Sequence, residues 1–317
     1  MADMAELQSR FAIPGVLGFE QTASGLVVAR ATAPAAEAAI CLQGAQVTHW
    51  KPAGEAPAIF LSQRAEFAPG KAIRGGVPIV FPWFADRHDG KTGPQHGFAR
   101  ISDWTLAFAA MAGDELHLTF TLAPNELSHS LGYDHFKLAY NVTVGHTLTL
   151  ELTVLNDSGS GGVREATDET NANGAPLVFE EALHTYLAVA DARKVSIDGL
   201  AGTAYLDKVD DSRCKLQPQG PLTFQGRTDR PYLNTDATCV LHDPAGGRRI
   251  VVAKTGSRST VVWNPWQELT AKMADMEPDA WLHMTAIETA NVGEDAVTLK
   301  AGETHAMRAR YAIEKMA

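Results

Sequence analysis

Apolar and polar residues alternate with a period of two along most of the chain. The runs 136–144 and 147–154 each place leucine, valine or an aromatic at every second position, with Lys, Ala, Asn and Thr between them in the first and Thr or Glu in the second. Gly145-His146 separates the two runs. Strict alternation marks a half-buried strand, and two such runs joined by a glycine-containing pair predict a β-hairpin. The run 116–122 repeats the pattern, as do 260–263 and 281–290. Strand-like segments broken by Gly, Pro, Asp or Asn continue from residue 25 to residue 312. The fold class that follows is all-β, a large antiparallel sandwich with few short helices. The best helical candidate is 266–276, between two strands. No βαβ alternation occurs, which argues against doubly wound and TIM-barrel folds.

A Gly/Ser-rich stretch, 158–162, opens a polar segment that runs to about residue 174. Hydrophobic strands of one kind flank it on both sides, so it reads as a surface loop, about 157–174, inside a single domain covering 1–317. It lacks the strand-then-helix setting of a phosphate loop.

Composition narrows the function class. The 317 residues are 45% hydrophobic and 20% charged, which is ordinary globular composition. Lys and Arg number 27 against 37 Asp and Glu, a net charge of -10. That balance opposes broad attraction to nucleic acid or an anionic membrane, so an anionic ligand would need a local arginine cluster. Cys41, Cys214 and Cys239 are far apart and form no C-x-x-C pair, so they suggest neither a disulfide framework nor a Cys-based zinc site. The acidic N-terminus is unlike a signal peptide, and no apolar run reaches the roughly 18 residues of a membrane span. The expectation is a soluble cytoplasmic protein, with a monomer as the default.

Three segments could carry chemistry. In the first, Arg74-Gly75-Gly76 leads through two prolines to Phe81, Trp83 and Phe84, and is followed by Gln95-His96-Gly97-Phe98-Ala99-Arg100. Glycines and prolines preclude a regular strand interior and shape a loop. Arginine forks bind carboxylates or phosphates, and aromatic faces stack on the C–H side of sugars. Two surface arginines beside a core-filling aromatic loop would read the same way. In the second, 179–189, strand alternation puts His184 on a face with Glu180, Ala182, Tyr186 and Ala188, away from Phe179, Leu183 and Leu187. A histidine so placed is a proton donor or acceptor near neutral pH, or simply an exposed side chain. In the third, alternation puts Glu288 in a row with Leu282, Met284, Ala286 and Ala290. A carboxylate there is costly unless paired, hydrogen-bonded or used, and desolvation would raise its pKa toward the range of a base. A structural ion pair is the other reading. Asp229, in the charged turn 226–232, could bind hydroxyls or satisfy its own turn.

Taken in order, these stretches resemble the aldose 1-epimerase superfamily, and within it the hexose-6-phosphate branch, the glucose-6-phosphate 1-epimerases. The resemblance rests on R-G-G-V-P-I-V-F-P-W-F from Arg74, Q-H-G-F-A-R from Gln95, E-A-L-H-T-Y from Glu181, T-D-R-P-Y from Thr228 and the strand ending in Glu288, spread over roughly residues 20 to 312. Ala85-Asp86 stands where the family usually has glycine. The resemblance implies a galactose-mutarotase-like β-supersandwich and an isomerase that interconverts the α and β anomers of a hexose 6-phosphate. It implies that His184 is the general acid toward the ring oxygen and Glu288 the general base toward the anomeric hydroxyl. Arg74, Gln95, Arg100 and Asp229 would be substrate-binding positions, the arginines holding the phosphate, with His96 orienting hydroxyls. The partner is a small sugar phosphate, and the chemistry needs no metal or organic cofactor.

Two further functions stay open: a noncatalytic carbohydrate-binding β-sandwich and a mutarotase for unphosphorylated aldoses. A cupin-like metal site is disfavoured, because His129 and His135 have no third ligand near them in sequence.

Overall fold

The computed structural model describes residues 3–159 and 174–316. Most of the expected 157–174 loop, including Gly161 and Gly162, lies outside the described residues.

Antiparallel sheets form the body. The largest has nine strands, in the order Leu222–Thr223, Ser196–Asp198, Cys239–Asp243, Arg248–Thr255, Thr304–Lys315, Thr147–Leu155, Lys137–Val144, Glu115–Leu122 and Thr105–Ala112. The predicted hairpin lies within it: Lys137–Val144 pairs with Thr147–Leu155 across Gly145-His146, in the register Val144↔Leu148. Every second residue of Thr147–Leu155 is buried, as the alternation requires. A four-stranded sheet, Leu17–Gln21, Val27–Ala33, Ala36–Cys41 and Gln46–Pro52, precedes it.

The sheet that matters for function runs Arg213–Leu216, Ala204–Asp207, Thr228–Tyr232, Ser259–Asn264, Met284–Asn291, Glu181–Leu183 and Ile79–Val80. Tyr186–Ala188 also pairs with Met284–Asn291. All eight residues of Met284–Asn291 are buried, because this strand is covered on both faces. Ile287 belongs to the main core with Leu183, Val262 and Tyr311. Met284 and Ala290 belong to two small clusters on the other side, one around Tyr186 and Met276 and one around Val80 and Phe84. A charged residue at position 288 therefore enters a dry face.

Three expectations change. Residues 266–276 form only one short helix, Trp266–Thr270. The chain beyond it turns so that Met273 and Met276 reach the Tyr186 cluster, where tertiary packing outweighs local helix preference. The run 281–290 is a strand only from Met284, because Ala280–Leu282 is a 3₁₀ turn, so Leu282 is not in the Glu288 row. Asp229 lies inside the strand Thr228–Tyr232, opposite Trp263, rather than in a turn. No helix among the described residues is long and apolar enough to cross a membrane.

Candidate active site

The segment around His184 is not one strand but three, Leu177–Phe179, Glu181–Leu183 and Tyr186–Ala188. The interruption has a purpose visible in its contacts. Thr185 turns inward, its hydroxyl 2.6 Å from the Tyr311 hydroxyl of the nine-stranded sheet, while the His184 N–H donates to the Pro78 carbonyl at 3.0 Å. His184 is thereby directed to the opposite face. There its ring stacks on Tyr186 at 4.8 Å and 13°, with the Trp263 and His96 rings edge-on at 6.0 and 5.5 Å. Glu180 does not join it. Its carboxylate accepts from the Phe84 and Gly293 N–H groups at 2.8 and 2.6 Å and so fastens the aromatic loop instead.

His184 and Glu288 meet across this face, Nε2 to Oε1 at 3.4 Å, and both are buried, 7% and 1% exposed. Glu288 follows from strand register: it pairs with Val261, which pairs with Pro231, and the next row brings Asp229 beside Trp263. Asp229 and Glu288 thus share one wall.

The glycine-rich loop builds the other wall. Gly76 (φ 69°) has its missing Cβ only 2.5 Å from the Val47 carbonyl oxygen, and Gly97 (φ 74°) only 2.0 Å from that of Phe81, so neither position admits a side chain. This close approach carries Arg74 and His96 to the site. Arg74 Nε donates to Asp275 Oδ2 at 3.0 Å and its Nη1 to the Tyr186 hydroxyl at 3.1 Å. Arg100 Nη2 donates to the Gln95 carbonyl at 2.7 Å, and its Nε is buried without a hydrogen-bond partner among the described residues. Gln95 supplies that carbonyl from an exposed turn, and its side chain makes no hydrogen bond among the described residues.

His96 is held by a clasp of two left-handed residues. The Ala85 N–H donates to His96 Nδ1 at 3.1 Å, and the His96 N–H returns to the Ala85 carbonyl at 2.7 Å. Their φ values are 59° and 63°. Ala85 holds a backbone conformation that glycine adopts freely, at a cost of about 1 kcal/mol for a side-chain-bearing residue. With Nδ1 accepting, the proton of neutral His96 lies on Nε2.

The electrostatics are polarised. Burial, then the charges of Arg100 and Arg74, push the His184 imidazole down to about 3. Burial, then Asp229, holds Glu288 well above the usual carboxylate range. His96 is lowered by burial and Arg100, and Asp229 is raised by burial. Burial, then Arg74, pulls Arg100 down to about 10, with Tyr186 and Glu288 opposing the shift. For Arg74 burial also works against the charge, but Tyr186 and Asp275 outweigh it and raise the pKa. The pair His184–Glu288 is therefore one acid–base unit whose resting proton favours the carboxyl.

Sequence reasoning brought together Arg74, His96, Arg100, His184, Asp229 and Glu288. It missed Asp275, Trp263 and Lys208. Tyr186 was visible as a face-mate of His184, but nothing in sequence showed that it also binds Arg74. His129 pairs with Asp134, away from these residues, and no group of three or more metal-ligating side chains occurs among the described residues.

The family pattern of the aldose 1-epimerases matches residues 28–312. The chain belongs to the aldose 1-epimerase family. It is 36% identical over 272 residues, 86% of this chain and 85% of the other, to an Escherichia coli K12 protein provisionally named a glucose-6-phosphate 1-epimerase. Its fold is similar to the crystal structure of a Salmonella typhimurium protein provisionally described as a mutarotase, with a TM-score of 0.85, 30% identity and 96% of each chain covered. A galactose mutarotase-like protein of Clostridium acetobutylicum shares the fold at 14% identity, with a TM-score of 0.68 over 95% of this chain and 98% of that one. The architecture is the galactose-mutarotase-like supersandwich, as the sequence resemblance implied, and the polar face of its eight-stranded sheet is the one that carries His184 and Glu288.

Proposed function

We propose that this aldose 1-epimerase family member interconverts the α and β anomers of glucose 6-phosphate. The observation that carries the reading is the His184–Glu288 pair, 3.4 Å apart on a dry sheet face beside two arginines. Glu288 takes the O1 proton as His184 delivers one to the ring oxygen. The C1–O5 bond breaks to the open-chain aldehyde, rotation about C1–C2 follows, and the two groups exchange roles on closure. Each transfer is worth about 10²–10⁴-fold. The step needs the unit's one proton on His184 and Glu288 ionised, the reverse of the resting preference, so the proton has to pass from the carboxyl to the imidazole before ring opening.

The anion is supported by Arg100, whose guanidinium has a buried Nε without a hydrogen-bond partner and makes no ion pair among the described residues. Buried polar atoms are almost always satisfied, and a phosphate supplies the missing acceptor. Burial is the larger cause of the depressed His184 pKa, and the phosphate charge would offset the second, the field of Arg100 and Arg74, which favours the proton on the imidazole. A mutarotase for free aldoses is the second reading, favoured by Asp275, which already offsets the charge of Arg74. The same proposal takes 1–317 as one cytoplasmic, monomeric domain. Exchange spectroscopy by NMR on equilibrated glucose 6-phosphate and on glucose tests it. Acceleration of the phosphate ester well above that of the free sugar is expected, and equal acceleration would favour the second reading.

A further inference from the structure

Lys208 has no place in the chemistry so far, yet its ammonium lies over Phe84, a ring that touches His96. It follows the strand Ala204–Asp207, and its N–H donates to the Asp229 carbonyl at 3.0 Å, which ties it to the neighbouring strand at that residue. Its ammonium rests 4.6 Å from the Phe84 ring centroid. Phe84 meets His96 edge-on at 4.9 Å, and His96 meets His184. Lys208 Nζ makes no hydrogen bond or ion pair among the described residues, although lysine ammonium groups in partly buried positions ordinarily find a carboxylate.

The groups that bear on Glu288 are His184, Asp229, Arg100, Lys208 and, from the nine-stranded sheet, Tyr311. Lys208 is the stronger of the two cations that favour its ionised form, ahead of Arg100. It is also the stronger cation acting on Asp229, ahead of Arg227 and against Asp207. Two carboxylates on one dry wall repel, and a base must be ionised to accept a proton. Once the sugar's phosphate occupies the arginines, Lys208 is the cation left to offset that repulsion.

We propose that Lys208 is a positioning residue for the proton transfer: its ammonium, seated on the Phe84 face and tied to the Asp229 strand, is the shared counter-charge of the Glu288 and Asp229 carboxylates. Its catalytic consequence rests on the hexose-phosphate reading, whereas its electrostatic effect does not. The test joins carbon-13 NMR titration of the Glu288 carboxyl in the free protein with the pH dependence of glucose 6-phosphate anomer exchange, for wild type, Lys208→Met and Lys208→Arg. In Lys208→Met the Glu288 midpoint should rise by about 0.5–1 pH unit and the acid limb of kcat/KM should move up with it. KM should change less than about threefold, because the lysine acts through the base. Lys208→Arg should restore both midpoints. An unmoved Glu288 midpoint in folded Lys208→Met overturns the proposal, as does a loss confined to KM with the pH profile unchanged. Absence of exchange by wild type would sink the functional reading alone, and the carboxyl titration would still decide the role of Lys208.

Discussion

Two histidine–carboxylate pairs occupy opposite faces of the same strands. His184 and Glu288 stand 3.4 Å apart on the polar face, and His305 and Glu181 stand 3.0 Å apart on the other. Glu181 and His184 come from one short segment, while Glu288 and Asn291, which donates to Glu181 at 2.8 Å, come from one strand. Both carboxylates are essentially inaccessible, 0% and 1% exposed. What separates the pairs is how deeply the histidine is buried and which charges surround it. The hydrogen bond to Glu181 raises the His305 pKa, so that pair is an ion pair fastening Thr304–Lys315 to the sheet. His184 and Glu288 are both buried, and His184 also lies in the field of two arginines and Glu288 beside a second carboxylate, so charge separation between them is discouraged. Residue types alone make a structural bond. In other surroundings the same types hold a shared proton instead of opposite charges.

Exchanging the pairs by mutation should therefore give unlike outcomes. His184→Asn and Glu288→Gln should each reduce catalysed anomer exchange by at least about 10²-fold with the circular dichroism unchanged. Glu181→Gln should leave exchange per folded molecule within about threefold but lower the urea-derived stability by about 1–3 kcal/mol. That figure lies below the usual cost of breaking a buried pair, because 23% of the His305 side chain is exposed. Loss of exchange in Glu181→Gln at full stability would erase the distinction between the two pairs.

Arg100→Ala should come next, raising KM for glucose 6-phosphate by about 10–100-fold while changing free glucose little. Equal losses for both sugars would detach the arginine from phosphate.

The pH dependence of stability should have opposite signs for the two histidines. The folded pKa of His305 is raised, so its contribution is fully present below the unfolded value of about 6.5 and lost as pH rises through the folded value. His184 is depressed to about 3, so the unfolded state binds the proton first, and stability falls as pH drops from about 6.5 toward 3. Urea melts across pH 4–9 should show His184→Asn relieving the acid loss and His305→Gln flattening the alkaline one. The same sign for both would contradict the assigned environments. The smallest effect is Ala85→Gly, which should stabilise by about 0.5–1 kcal/mol by relieving the left-handed alanine of the His96 clasp. No gain in thermal midpoint would mean that the clasp is unstrained.

Much of the fold was legible because half-buried strands leave their period in the sequence. The hairpin through Gly145-His146 and the strand bearing Glu288 fall where alternation puts them. The failures have two causes. Asp229 and residues 271–276 were placed by local pattern but are positioned by contacts with distant segments, such as Asp275 with Arg74, whereas Leu282 sits in a local 3₁₀ turn that interrupts the alternation. Glu180 shared the expected face with His184 only while the segment was taken as one strand. Two breaks in the ladder sent it to the aromatic loop instead.

By itself the sequence determined an antiparallel β architecture, a glycine-shaped loop flanked by arginines, and the residue types of an acid and a base, since periodicity, steric freedom and side-chain chemistry are local properties. Only the tertiary structure decided which histidine meets which carboxylate, because partners far apart in the chain are chosen by strand register. It also decided the direction in which each group titrates, because burial and the summed field of Arg74, Arg100, Asp229 and Lys208 exist only once the sheets have closed around them.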